Sequence, residues 1–363
     1  MPKNGKSFLA ELGIQKPPEN DEIELSVFGR GYGECLVISC GFKEFIVVDS
    51  FINNETGNPI ALDYLEAMGV SSFAIKQVVL THWHQDHITG ISEILKKASP
   101  DAKLVISPIV KQGRFFEYIS IGIHENNQST NEFAKIMDFV KNNTNRIKIP
   151  DSNKVVFPYT QNGNGVEIYT LSPNDSDLIE YINAIRMPDE QRKTSYSFPE
   201  DNSLSIVMLI KFRTDGVLLG SDFENVIDSN SGWKRLISEY YHTRNKPSLI
   251  KIPHHGSSNA HNDDLWKDIL SDKPLSVLTV FNKSTKLPKD SDVDRIKNLS
   301  QSLFIVGDLK ALKTTDKDLV KRVKHFPNIK IAPVSTKIGL SRFRRSVDKL
   351  EWNIEMFGSV SKQ

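Results

Sequence analysis

The 363-residue chain has only two cysteines and four tryptophans, and no apolar run in it approaches the roughly 20 residues of a membrane span. Cys35 and Cys40 cannot build a disulfide framework. Their odd spacing on one apolar segment turns them to opposite faces of a strand, so they read as packing residues rather than as a zinc knuckle. The opening "MPKNGKSFLAELGIQ" lacks the apolar core of a secretion signal, so the expected location is the cytoplasm with no membrane partner. An excess of one charge is missing too. With 46 Lys and Arg against 45 Asp and Glu, no global field draws in nucleic acid, although a local basic groove stays open. Repeats, low-complexity tracts and linkers are absent, which favours one domain over two. The expected division is a polar leader over 1–20, a main domain over 21–335 and a C-terminal extension over 336–363, a β-hairpin packed on the core.

What the chain does contain is short β-branched runs alternating with helical stretches. "IELSVFG", "ECLVISC" and "EFIVVDS", parted by "GRGYG" and "GF", predict an antiparallel start to a sheet. The helix "NPIALDYLEAMGV", the strand "IKQVVLT" and the helix "ITGISEILKKA" follow. Between Pro108 and Pro199, helices are expected in "GRFFEYISIGI", "TNEFAKIMDFVKNN" and "SDLIEYINAI" and a strand in "GVEIYTLS", together covering one face of the core. Strands return in "SLSIVMLIKF", "GVLLGSD", "SLIKIPHHG", "LSVLTVFN" and "SLFIVG", with helices in "GWKRLISEYYHT" and "DVDRIKNL". Because "GRGYG" precedes a strand rather than a helix, it fails as a dinucleotide loop and reads as a turn that brings Tyr32 or Glu34 near the pocket.

The informative stretch is "VVLTHWHQDHITG", in which three histidines and one aspartate fall within six residues after an apolar strand. On an extended segment His82 and His84 point the same way and can grip one cation together. Asp86 and His87 start the following helix, where the turn swings them back to a neighbouring point, so two adjacent metals are the natural outcome. Imidazole and carboxylate suit zinc, manganese or iron. Five of the nine histidines lie in two short stretches, each ending a β run, and incidental surface histidines do not cluster so.

The pattern H-x-H-x-D-H at His82, His84, Asp86 and His87 resembles the metallo-β-lactamase fold superfamily of metallohydrolases, and the resemblance continues in order from Ile23 to Val280. It implies an α/β (α+β) chain folded as a four-layer αββα sandwich with the metals at the sheet edge. It also implies that Asp222, ending "VLLGSD", bridges the metals, and that His255 in "IKIPHHG" is the last ligand. His254 then lies beside the metals, free to contact substrate or protonate a leaving group. Asp49, ending "IVVDS", matches an aspartate behind the ligands, where a carboxylate can accept the free N–H of a ligating imidazole. "DNSL" and "HHGS" resemble the subgroup of competence (DNA-uptake) protein domains and phosphocholine esterases, which directs Asn202 and Ser203 toward the ligands or the substrate. One departure stands out. Many members supply another histidine between the first motif and the bridging aspartate, whereas here that interval holds only His124, in an unrelated context. The first metal is therefore expected to be held weakly or completed by solvent.

Two divalent cations, zinc first and manganese as the alternative, would acidify a shared water and clamp the charge that develops on the attacked centre. The expected reaction is hydrolysis of a phosphodiester, in nucleic acid or a nucleotide, with Asp86 and His254 catalytic. A thioester or lactone hydrolase is the enzymatic alternative, and a metal-binding regulatory protein without turnover is the alternative of another class. The basic stretches "LKKASPDAK", "KALKTTDKDLVKRVKH" and "RFRR" (Arg342 to Arg345) are expected to be solvated faces in preference to a nucleic-acid surface with Phe343 as stacking platform.

Overall fold

The structure, a computed structural model, describes residues 16–113, 115, 128–157, 165–184, 201–213, 215–226, 231–242, 246–283, 286–309 and 337–363. The helix expected in "GRFFEYISIGI", His124 and the basic stretch "KALKTTDKDLVKRVKH" lie outside the described residues or almost wholly so.

In chain order the strands are β1 (Glu22–Gly29), β2 (Glu34–Ser39), β3 (Phe45–Val48), β4 (Ile75–Leu80), β5 (Lys103–Ile106) and β6 (Ile147–Lys148). They continue as β7 (Lys154–Phe157), β8 (Val166–Thr170), β9 (Met208–Phe212), β10 (Asp215–Leu219), β11 (Leu249–Lys251), β12 (Leu275–Thr279) and β13 (Ser302–Val306). The last are β14 (Gly339–Ser346), β15 (Asn353–Gly358) and β16 (Val360–Lys362). Among the described residues these strands make two eight-stranded sheets, ordered β15-β14-β1-β2-β3-β4-β5-β6 and β16-β13-β12-β11-β10-β9-β8-β7.

The antiparallel start is present, since β1, β2 and β3 pair as a meander, and the sheet then turns parallel from β3 through β6. The second sheet is parallel from β10 through β13. Parallel neighbours need crossovers, and helices supply them. Helix α1 (Ile60–Ala67) joins β3 to β4, α2 (Gln85–Ile88) and α3 (Ile91–Lys97) lie between β4 and β5, and α4 (Gln128–Lys141) lies between β5 and β6. Helix α5 (Asp175–Ala184) lies between β8 and β9, α6 (Gly232–Ser238) between β10 and β11, and α7 (Asp290–Leu299) between β12 and β13.

Alternation along each strand splits the apolar residues into three layers. Ile23, Leu25 and Val27 of β1 meet Ile210, Val217, Val277 and Phe304 between the sheets. Phe28, Val37, Val47 and Val78 face Tyr64 and Leu65 of α1, Ile94 of α3 and Phe133 of α4. Leu209, Leu218 and Ile250 face Trp233 and Leu236 of α6 and Ile296 of α7. The result is the four-layer αββα sandwich. Cys35 and Cys40 are both buried and unpaired, one in the helix-facing layer and the other between the sheets, as their spacing requires. The region after Pro108 does more than cover one face, because β6 extends the first sheet while β7 and β8 edge the second.

"RFRR" departs from expectation, being neither solvated nor a surface for nucleic acid. It lies in β14, paired with both β1 and β15 inside the first sheet. Arg342, Arg344 and Arg345 are buried and paired with Glu355, Glu24 and Asp215, while Phe343 is wholly buried against Phe304. Glu24 is the centre of this group, since it also accepts from Tyr64 Oη at 2.7 Å and Ser26 Oγ at 2.9 Å. A run of charge suggests surface, but each guanidinium has a carboxylate on another strand.

Removing one partner of a buried pair strands the other charge in a dry environment. Arg344→Ala is therefore expected to lower stability by about 3 kcal/mol or more. Urea unfolding in the presence of a chelator, which isolates the effect from metal binding, measures this, and an unchanged midpoint would show that the pair contributes nothing.

Candidate metal centre

The functional side chains gather where β3, β4, β10 and β11 end. Asp49 follows β3 with φ 55°, a left-handed conformation that aspartate tolerates better than most residues. That bend aims its wholly buried carboxylate back at the segment leaving β4. Its Oδ1 accepts the Thr81 backbone N–H at 2.8 Å, and its Oδ2 accepts the Thr81 hydroxyl at 2.6 Å and His87 Nδ1 at 2.8 Å. These bonds settle the tautomers. The Thr81 hydroxyl gives its proton to Asp49, so its oxygen accepts from His82 Nδ1 at 2.9 Å. In His82 and His87 alike Nδ1 carries hydrogen, and the lone pair of the neutral ring resides on Nε2.

His255 reaches the same state from the second sheet. Its Nδ1 faces two acceptors, the Thr279 carbonyl at 3.1 Å and the Thr279 hydroxyl oxygen at 3.0 Å, so its Nε2 also points a lone pair inward. Opposite stand two nearly buried carboxylates. Asp222 Oδ2 lies 3.4 Å from His87 Nε2 and 3.5 Å from His255 Nε2, while Asp86 Oδ2 lies 3.6 Å from each of those nitrogens. His82 Nε2 is 3.9 Å from Asp222 Oδ2. Acceptors thus face acceptors, and the distances exceed those of an ordinary N–H···O bond. His82 Nε2, His87 Nε2 and Asp222 Oδ1 are buried with no hydrogen-bond partner. Two ligand atoms on one tetrahedral ion with bonds of 2.0–2.1 Å stand about 3.4 Å apart, so the residues present fit a zinc-type cation.

Without a cation, protons must relieve the repulsion. Burial opposes charging His87, but Asp222, Asp86 and Asp49 outweigh it and hold the ring well above the usual imidazole range. Burial likewise opposes His255, which Asp222, Asp86 and Glu34 raise to about 9. In His82 burial dominates, aided by repulsion from His87 and His84, and the ring is held well below the usual range. His84 caps α2, half-buried, with its ring centroid 4.7 Å from that of His82. It is not among the side chains whose ligand atoms meet in threes within 4.8 Å, which are Asp49, His82 and His87; Asp86, His87 and His255; and Glu34, His87 and Asp222.

A set of buried residues behind the ligands was only partly legible. Glu34 was expected near the pocket, but its partner was not. Lys251, wholly buried in β11, lies 2.6 Å from Glu34 Oε1 and 3.8 Å from Asp222 Oδ1, and donates to the Ser221 carbonyl at 3.0 Å. The Thr279 hydroxyl donates to Glu34 Oε2 and so completes a path from Asp222 to His255. The available signal was one acidic and one basic residue inside apolar strand runs, "ECLVIS" and "LIK", where a charge is buried only with a partner.

His254 sits beside the ligands with φ 42°, its side chain 19% exposed. Its Nδ1 lies 2.5 Å from Glu224 Oε1, which also accepts from Asn202 Nδ2 at 2.7 Å, and Asn202 Nδ2 is 3.5 Å from His254 Nε2. Burial opposes charging His254, but the hydrogen bond to Glu224 and the nearby Asp222 raise it above the usual range. Asn202 thus reaches the site through Glu224, whose one mark in the sequence is that it stands two residues after Asp222. Ser203, half-buried, bonds to none of the ligand side chains. Among the described residues no helix is long and apolar enough to cross a membrane.

Residues 29–149 match the model of the metallo-beta-lactamase superfamily. Three of the solved structures that match this chain are as follows. A metallo-beta-lactamase fold protein from Bacillus subtilis is 13% identical, with 79% of this chain and 96% of that one aligned at a TM-score of 0.39. Human tRNase Z, short form, is 10% identical over 77% of this chain and 89% of that one, at a TM-score of 0.37. A Cronobacter sakazakii metallo-beta-lactamase with a mutated HARLDQ motif is 10% identical over 54% of this chain, at a TM-score of 0.30, and the alignment spans 60% of that enzyme's length. With the sandwich fold and the ordered ligand motif, the match over residues 29–149 shows that this chain carries a metallo-beta-lactamase superfamily domain.

Proposed function

We propose that this chain is a hydrolase of phosphodiesters, acting on nucleic acid or a nucleotide. His82, His84, Asp86, His87, Asp222 and His255 would hold two divalent cations, with zinc favoured and manganese the alternative. The observation that carries the reading is the meeting of His87, His255, Asp86 and Asp222 at 3.4 to 3.6 Å beside a histidine oriented by a carboxylate. A bound cation pair supplies Lewis acidity and acidifies water. That suits an anionic centre that gains charge on attack.

The chain's own groups account for the proton movements. Asp86, anchored at the start of α2, orients the attacking water and accepts its proton. As the new P–O bond forms and the bond to the leaving oxygen breaks, His254 delivers a proton from Nε2 to that oxygen. Glu224, 2.5 Å from Nδ1, fixes the ring and steadies its charge. Asp49 and the group formed by Glu34, Lys251 and Thr279 keep the imidazoles and Asp222 turned inward, so little reorganisation is needed when charge develops.

Metal analysis coupled to hydrolysis of single-stranded DNA, RNA and bis-p-nitrophenyl phosphate tests the reading. About two metals per chain are expected, with diester cleavage lost in both His84→Ala and Asp86→Ala. Bound metal with thioester or lactone turnover in place of diester cleavage would replace the proposal, and failure to bind metal after reconstitution would end it.

The role of His254 has its own signature. General-acid assistance contributes about 10²- to 10⁴-fold when the leaving group is poor. His254→Ala is expected to lose that factor on a dinucleotide and far less on a p-nitrophenyl ester, whose leaving group needs no proton. Equal losses on both substrates would assign the residue to binding instead.

A further inference from the structure

One group of side chains next to His255 has no part in the steps above. Phe281 follows β12 with its ring centroid 5.3 Å from that of His255, and Tyr32, in the turn between β1 and β2, packs on it at 5.5 Å. Two residues beyond Phe281, the exposed Lys283 lies with Nζ 4.3 Å from the Tyr32 ring centroid. Its ammonium donates to Tyr32 Oη at 3.1 Å and to Gln85 Oε1 at 2.8 Å. Gln85 stands in the chain between the ligands His84 and Asp86, so Lys283 is tied to the metal-binding loop itself.

Among the described residues every partner of that ammonium is neutral. Among the described residues Lys283 forms no ion pair, unlike the buried Lys251 and the arginines of β14, which all meet carboxylates. An ammonium has three donors, and the two bonds occupy two of them. A lysine held by an aromatic face and two neutral acceptors has given up rotamer freedom without gaining a counter-charge, which a structural salt bridge would supply. The arrangement leaves a held positive charge and one N–H beside the segment that carries Gln85.

We propose that Lys283 anchors the substrate's phosphate, its ammonium binding a non-bridging oxygen while Tyr32 and Gln85 act as positioning residues. The inference rests on the phosphodiester reading and deepens it, because a neutral lactone offers such a site no charge to hold.

Calorimetry of the zinc-loaded full chain with adenosine 5′-monophosphate, and with adenosine as the uncharged control, tests the anchor. Lys283→Ala is expected to weaken nucleotide binding by about fivefold to tenfold, the scale of one partly exposed charge-assisted bond. Lys283→Glu should weaken it further and Lys283→Arg should largely preserve it, with adenosine affinity and zinc content unchanged in all three. Unchanged nucleotide affinity in the alanine and glutamate variants, an equal loss for adenosine, loss of zinc, or no nucleotide binding by the native chain would each overturn the anchor. Lysine-dependent binding by a native chain that cleaves no diester would instead overturn the catalytic reading and leave the anchor standing.

Discussion

Asp49 accepts three hydrogen bonds from the segment it faces, two from Thr81 and one from His87, and through Thr81 it also orients His82. As an ionised carboxylate it can only accept. Each imidazole must therefore present N–H to the protein and a lone pair to the centre, and the backbone entering α2 is pinned at Thr81. Thr81 and His87, the two ends of this segment, are thus both held by one residue at the end of β3, whose left-handed backbone directs its side chain there. Burying that carboxylate raises its own affinity for a proton, and His87 and Thr81 act against this effect.

The second sheet meets this loop through a similar device built from different residues. Lys251 and Thr279 come from the second sheet and Glu34 from the first, so the buried path from Asp222 to His255 also ties the two sheets together beside the site. A buried pair adds little stability over an apolar one, yet breaking it is costly, which makes such a network a means of specifying geometry. The sheets approach closely here. A Cβ on Gly29, at the end of β1, would lie 2.8 Å from the Val306 carbonyl oxygen and 3.0 Å from the Thr279 methyl, so only glycine lets β1 pass beside β12 and β13.

Much of this was legible beforehand for a physical reason. Strands buried on both faces appear as continuous β-branched runs, and helices that cover them show one apolar stripe, so "ECLVIS", "IKQVVL" and "LSVLT" were evident. Legibility failed where the partner of a charge lies far along the chain. "RFRR" looks like surface until Glu24 and Asp215 are brought to it, and Glu224 has no apparent purpose until His254 folds beside it. Periodicity carries information about faces; it carries none about which charges will meet.

The sequence by itself determined the candidate metal-binding side chains and their closeness in the chain, because His82, His84, Asp86 and His87 are held at one strand end by covalent spacing alone. It also determined the alternation of strands and helices, through the burial pattern of short apolar runs. Tertiary structure alone decided the rest. Asp222 and His255 meet His87 only when the two sheets stack, Lys251 finds Glu34 only across that interface, and Lys283 reaches Gln85 only once β12 lies beside β1. These contacts join residues far apart in the chain, and their distances are set by how the sheets pack, a property of the whole core that no local stretch encodes.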